Sequence, residues 1–201
     1  FKAEKLEGQA LQDALALSQA VPQKDALTAP PTDQALQRFL RQFHDPVFVN
    51  IDELKTGKGE DNPRHKTDLQ PVMELNRGGK WGAYFSVNGF ADFAHNPHRK
   101  IEFVTSLNAH FVEVDDPTKS IQEIVNEASL LAAEKGIPFT AIVITGRGIH
   151  GYWLLKEPIL NPTEEQKRKY QHVQDTLTEL FHVDNQARVA AGQLRVPPSN
   201  A

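Results

Sequence analysis

The sequence contains no cysteine. Disulfides and thiolate zinc sites are therefore excluded, and redox chemistry says nothing about the compartment. No apolar run approaches the ~20 residues that a membrane span needs, and the N-terminus has no signal-peptide pattern. There is no internal repeat and no low-complexity tract. Positive charge is in deficit: 22 Lys and Arg stand against 26 Asp and Glu, for a net charge of −4. That excludes a broad, non-specific nucleic-acid coat and leaves room for a local basic groove. What is present is ordinary globular composition, 39 % apolar and 24 % charged over 201 residues, a length that fits one large domain or two small ones. The chain starts at Phe1 and stops after "RVPPSNA", which reads as a fragment of a longer protein.

Hydrophobic spacing divides the chain. Residues 3–20 have helical character, and 21–31, "VPQKDALTAPP", is a Pro-containing break. The spacing over 32–43 predicts a helix with Leu36, Phe39, Leu40 and Phe43 on one face. "PVFVNI" (46–51) and "KWGAYFSVN" (80–88) read as strands, with a polar loop over 55–68 between them and loop or short helix over 89–100. From 101 the pattern sharpens. A strand in 105–115 precedes a helix over 120–136 capped by Ser120 and ended by Gly136. Two strands, 139–146 and 149–156, are joined by a short Gly-Arg-Gly turn as an antiparallel hairpin. A long helix follows over 161–181, with Asn161 as its cap, Pro162 at its first position and Glu164 three after the cap. A short extended piece begins at 182. The order β-α-β-β-α-β is that of a ferredoxin-like or RRM-like unit.

Three stretches carry chemistry. In "AHFVEVDDP" (109–117) the alternation of a strand puts Glu113 and Asp115 on one face and Val112 and Val114 on the other. Two carboxylates a few ångströms apart suit a hard divalent cation, Mg²⁺ or Mn²⁺. The plain alternative is a strand leaving the core into an acidic turn. In "TGRGIHGYW" (145–153) glycines and Arg147 in a turn can bring backbone N–H groups and a guanidinium against phosphate. His150 and Tyr152 share one side of the strand, and Trp153 faces the packing side. The alternative is a hairpin whose glycines only satisfy the turn. In "HVDNQARVAAGQLRV" (182–196) Asp184 comes directly after a helix, where it can supply a third carboxylate or simply close a turn. Arg188 and Arg195 are cations suited to a triphosphate.

Together, "VEVDD", "TGRGIHGYW" and "HVD" resemble the acidic-x-acidic strand, the small-Gly-x-Gly-x-His hairpin and the hydrophobic-Asp motif of the primase-polymerase module of the archaeo-eukaryotic primase superfamily. "WGAYFSVN" followed by "HRKIEFVTSLNAHFVEVDD" is similar to its plasmid, phage and mobile-element branch. The resemblance covers about residues 76–198, and residues 1–45 fall outside it. It implies an α+β, two-part fold: an αβ unit (46–100) and, packed on that unit, an RRM-like βαββαβ catalytic unit (101–201), the two forming one catalytic domain (46–201) with the active site between them; the N-terminal helical segment (1–45) that spacing gives precedes it. It implies template-directed nucleotidyl transfer on single-stranded DNA, both primase and polymerase, by a two-metal mechanism with Mg²⁺ or Mn²⁺ and a nucleoside triphosphate. Glu113, Asp115 and Asp184 would be the catalytic metal ligands. His150 would contact the triphosphate, with Thr145, Arg147 and Gly148 lining the phosphate site and Arg195 in reach. Asn88, Tyr84 and Arg77 would touch nucleotide or template, and Asp116 is an extra carboxylate beside the pair. Arg195-Val196-Pro197-Pro198-Ser199 departs from the Arg-x-Pro-Gly-Ser/Thr of the family. Some relatives carry a zinc-binding insertion; the lack of cysteine gives no zinc here, as the lack of a long apolar run gives no membrane. The resemblance further implies an intracellular, nucleoid-associated setting, and a fused or partner helicase domain.

Two rival readings use the same kind of fold. A rolling-circle replication nickase needs a His-hydrophobic-His pair and a helix tyrosine; Tyr170 fits the second, but no His-x-His occurs in the sequence. A non-catalytic single-stranded DNA-binding initiator would stack bases on Trp81, Tyr84 and Phe85.

Overall fold

The computed structural model describes residues 38–46, 48–52, 64–66, 74, 81–90, 101–145, 147–183 and 193–195, with the backbone alone at 48–52, 64–66, 81–83, 193 and 195. Arg77, Asp184 and Arg188 lie outside the described residues, as does most of the predicted helix over 32–43. Its tail is a helical turn at 38–40.

Two four-stranded sheets carry the fold. The first has the order β2-β1-β3-β8, built from β1 (Phe48–Asp52), β2 (Arg64–Lys66), β3 (Trp81–Ser86) and β8 (Gln193–Arg195). The second has the order β4-β5-β7-β6, built from β4 (Gly89–Phe90), β5 (Val104–Asp115), β7 (Gly148–Leu160) and β6 (Ala141–Ile144). A helix α1 (Ile121–Glu134) joins β5 to β6, and α2 (Glu164–Leu180) follows β7. The β5-α1-β6-β7-α2 succession is the one that the hydrophobic periodicity gives. Among the described residues the strand after α2 is β8, and it extends the first sheet beside β3 rather than the second.

The second sheet is apolar on both faces because each face meets a different layer. Phe111, Ala109 and Tyr152 pack against Leu40, Phe43, Phe85, Val87 and Leu194, which ties the N-terminal turn and the first sheet to this face. Val112 and Ile149 point the other way, into Ile124, Val125, Ala128, Leu177 and Phe181 of the helices and the turn that ends α2. Trp153 lies on that helical side as its alternation requires, and its indole N–H donates to the Ile137 carbonyl at 2.7 Å. With both faces covered, β5 is buried at most positions from Val104 to Val112, polar Ser106 and Asn108 included.

Both helices start with capping boxes. Ser120 caps α1, as the sequence predicts, with Glu123 completing the box, and Gly136, at φ 72°, follows the end of that helix. The predicted start of the second helix is corrected. Thr163, not Asn161, is its cap, with Gln166 reaching back to the Thr163 N–H. Asn161 instead takes a left-handed backbone (φ 46°) and donates its N–H to the Thr105 carbonyl, closing β7. Asn tolerates that conformation as readily as it caps a helix, so its identity alone did not decide between the two.

A polar seam holds β5 along its outer edge. β4 pairs with β5 at Gly89↔Ser106 and Phe90↔Val104. Beyond those residues side chains take over. Asn88 Oδ1 accepts from the Asn108 N–H at 2.9 Å. The Tyr170 hydroxyl donates to the Ala109 carbonyl. Gln174 binds Phe111 twice, its Oε1 accepting from the N–H at 3.3 Å and its Nε2 donating to the carbonyl at 2.6 Å. Tyr170 and Gln174 are one turn apart on α2 and so meet alternate residues of the strand. A helix thereby does the work of a neighbouring strand, immediately before β5 reaches Glu113.

Candidate functional site

The acid pair sits where β5 ends. Glu113 and Asp115 share the face of Phe111, and the ladder sets them opposite His150 and Gly148 of β7. Backbone pairing therefore fixes which β7 residue each carboxylate meets.

Glu113 and His150 are in direct contact, Nε2 to Oε1 at 3.3 Å. The His150 ring is 1 % exposed and the Glu113 side chain 43 %. This hydrogen bond holds the Glu113 carboxyl below its usual range, against the opposing effect of burial. Asp115 moves the other way. Burial and then the neighbouring Glu113 charge raise its carboxyl, with smaller opposing contributions from His150 and Arg147. Two carboxylates in mutual repulsion, one anchored and one held above its usual range, form an oxygen donor set that a divalent cation relieves. The residues present fit Mg²⁺ or Mn²⁺ in that sense. Among the described residues no three His, Asp or Glu side chains form a ligand set by themselves, so a third donor has to come from elsewhere.

Gly148 is required by the close approach of the end of β5. A Cβ there would lie 2.0 Å from the Val114 carbonyl oxygen and 2.4 Å from Asp115 Oδ1. The turn before it is tied to Thr145, whose Oγ1 accepts from the N–H groups of Arg147 at 3.3 Å and Gly148 at 3.0 Å. Those two N–H groups are engaged within the turn, and the exposed Arg147 guanidinium is what the hairpin presents beside Asp115.

Asp116 organises the turn into α1. It accepts from the Thr118 N–H at 2.9 Å and hydroxyl at 2.6 Å and pairs with Lys119 at 3.4 Å. A cleft of about 740 Å³ opens at this end of the sheet, with Glu113, Asp115, Asp116 and Lys119 on its wall and Ile124 and Phe181 among its apolar lining.

The remaining sequence-predicted residues lie elsewhere. Asn88 is fully buried and its amide joins Tyr170 and the Asn108 backbone. Tyr84 is half-buried on β3, in register with Arg195 on β8. Phe85 is fully buried in the core, closed to base stacking. Tyr170 is 4 % exposed, and its hydroxyl donates to Ala109 and accepts from Asn88 at 3.0 Å. Burial keeps its phenol protonated well above the usual range. The nickase reading needs a solvent-facing nucleophile at this position, and this one is sealed and bonded.

Sequence reasoning missed Gln174 and the hydroxyl of Tyr152. The signal for the first was available: Tyr170, Gln174 and Thr178 recur at a spacing of four on the buried stripe of an amphipathic helix, where polar side chains require partners.

No known family pattern matches the chain, and no curated protein matches its sequence. Among solved structures, the AEP domain (PP-N190) of the primase-polymerase (PrimPol) of cyanophage S-2L superposes with a TM-score of 0.60 over 83 % of each chain, at 18 % identity. The chain thus has the α+β fold of that AEP domain.

Proposed function

We propose that the chain is a nucleotidyltransferase that extends and starts DNA chains on a single-stranded template, using Mg²⁺ or Mn²⁺ held by Glu113, Asp115 and Asp184. The observation that carries this reading is the acid pair on the wall of a cleft, one carboxylate anchored by a buried His and the other raised by burial and its neighbour's charge. The fold shared with a phage primase-polymerase domain supports the same chemistry.

Bound divalent ions supply charge neutralisation at the triphosphate and a more acidic primer 3′-hydroxyl. The chain's own residues then act by placement. His150 fixes the Glu113 carboxylate in one orientation. Asp115 lies on the same face, two residues along β5. Arg147 presents a guanidinium that pairs with phosphate oxygens as a planar fork. Asp184, Arg188 and Arg195 complete the acidic and cationic sets in this reading. Protein catalysis of phosphoryl transfer is mostly positioning and electrostatic stabilisation, so small displacements of these groups matter.

The test is extension of a labelled primer on single-stranded DNA, and synthesis without a primer, with each nucleotide type and each metal. Wild type incorporates nucleotide only with a divalent ion. Asp115→Asn loses roughly a hundredfold or more of that activity. It also remains at least as stable as wild type at neutral pH. The folded carboxyl is raised, so its ionised form costs stability above the unfolded value, and the amide relieves that cost. Absence of incorporation under every condition, or full activity in Asp115→Asn, refutes the reading.

A further inference from the structure

Two polar atoms on the sheet face that carries Glu113 have no hydrogen-bond partner among the described residues, although both are sealed from solvent: Nδ1 of His150 and the hydroxyl of Tyr152. His150 is 1 % exposed and Tyr152 0 %. Two apart on β7, they share a face, with ring centroids 6.5 Å apart and planes at 80°. Phe39 and Phe43 pack edge-on against Tyr152, and Phe85 and Phe111 belong to the same apolar cluster. Aromatic rings thus pack around Tyr152, and His150 is its neighbour on the same face. Glu113 stands close enough that its charge adds to burial in keeping the Tyr152 phenol protonated. Buried polar atoms are rarely left unpaired, and neighbouring ones are commonly satisfied by one shared internal water.

We propose that Tyr152 is a positioning residue for Glu113, acting through a single internal water that joins its hydroxyl to Nδ1 of His150. The proposal gives this chain one polarity. An ionised Glu113 carboxylate only accepts, so His150 Nε2 donates to it at 3.3 Å. With the ring neutral, Nδ1 is the acceptor. The water donates to Nδ1 and accepts the Tyr152 hydroxyl proton. Every donor points toward Glu113, and each bond polarises the next. The ring of His150 is held through both nitrogens and cannot turn away from the carboxylate. The consequence for nucleotidyl transfer rests on the function proposed above; the hydrogen-bond chain itself does not.

Tyr152→Phe removes one oxygen and tests this in the full 201-residue chain. Two readouts use neither DNA, nucleotide nor metal. Long-range ¹H–¹⁵N correlation gives His150 as a single Nε2–H tautomer in wild type and an averaged ring in the variant. In urea the variant unfolds at a lower midpoint with unchanged slope, because the water and Nδ1 lose a partner. The third readout is primer extension, where kcat falls roughly tenfold, the scale seen for groups that orient a metal ligand, while the nucleotide KM stays. A His150 ring spectrum identical in the two proteins overturns the proposal. So does a variant more stable than wild type, because deleting a truly unpaired hydroxyl relieves a buried unsatisfied group. A changed ring spectrum in a protein with no polymerase activity supports the chain of bonds and refutes the proposed function instead.

Discussion

The carboxylate of Glu113 is bonded at 3.3 Å to the ring of His150, its direct partner across the β5–β7 ladder. A half-exposed acid is thereby fixed to a buried anchor, and the anchor's position is set by backbone pairing rather than by side-chain flexibility. Strands hold a charge more firmly than loops do, which is what a reacting centre requires.

Removing the anchor changes the acid. In His150→Ala the largest influence holding Glu113 down is gone and burial alone remains, so the carboxyl titrates at higher pH. In wild type the Glu113 contribution to stability is present above the unfolded value of 4.5 and is lost as pH falls through the lower folded value. That part of the acid limb disappears in the variant. Carboxyl ¹³C titration measures the shift; an unchanged Glu113 midpoint would show that the hydrogen bond does not set its ionisation.

Gly148→Ala places a methyl 2.0 Å from the Val114 carbonyl oxygen, where backbone has to move. The expected cost is about 1–3 kcal/mol in urea unfolding, the range for forced overpacking. Primer extension should fall more than that stability loss explains, since Asp115 is displaced with the strand. A variant with wild-type stability and activity would remove the close approach as the reason for this glycine.

Gln174→Leu leaves both the N–H and the carbonyl of Phe111 unpaired in a buried edge. Two such groups at about 1–3 kcal/mol each predict a loss of about 2–6 kcal/mol. Hydrogen exchange should rise first at Phe111 and its neighbours on β5. Uniform exchange across the sheet would argue that Gln174 supports the whole domain and not this edge.

His110 is partly buried, stacked on Tyr170 at 4.1 Å and bonded to Gln174, and burial lowers its pKa to about 4. Its folded value lies below the unfolded 6.5, so the unfolded chain takes up the proton first and stability falls as pH drops from about 6.5 toward 4. The chain should be about 2 kcal/mol less stable at pH 5 than at pH 7 from this residue alone. His110→Phe keeps the stack and flattens that limb. Parallel pH curves for the two proteins would show that His110 titrates normally.

Much of this protein is readable from residue spacing alone. The alternation in 109–115 sets Glu113 and Asp115 on one face and the valines on the other, and the structure has them so. The helix over Ile121–Glu134 and the hairpin of β6 and β7 follow from periodicities of 3.6 and 2. Spacing did not tell Asn161 from Thr163 as a cap, since both are good caps and only packing chose.

Tertiary structure alone decided the contacts that make the acid pair a site. Nothing local announces that Gln174 closes the β5 edge 63 residues away, that Gly148 is needed by the end of β5, or that His150 turns to Glu113 rather than to solvent. Periodicity is written in neighbouring residues, because it follows from the geometry of one helix or one strand. Which donor meets which acceptor depends on strand register and on how helices lie on the sheet, and those are settled only when distant segments pack together.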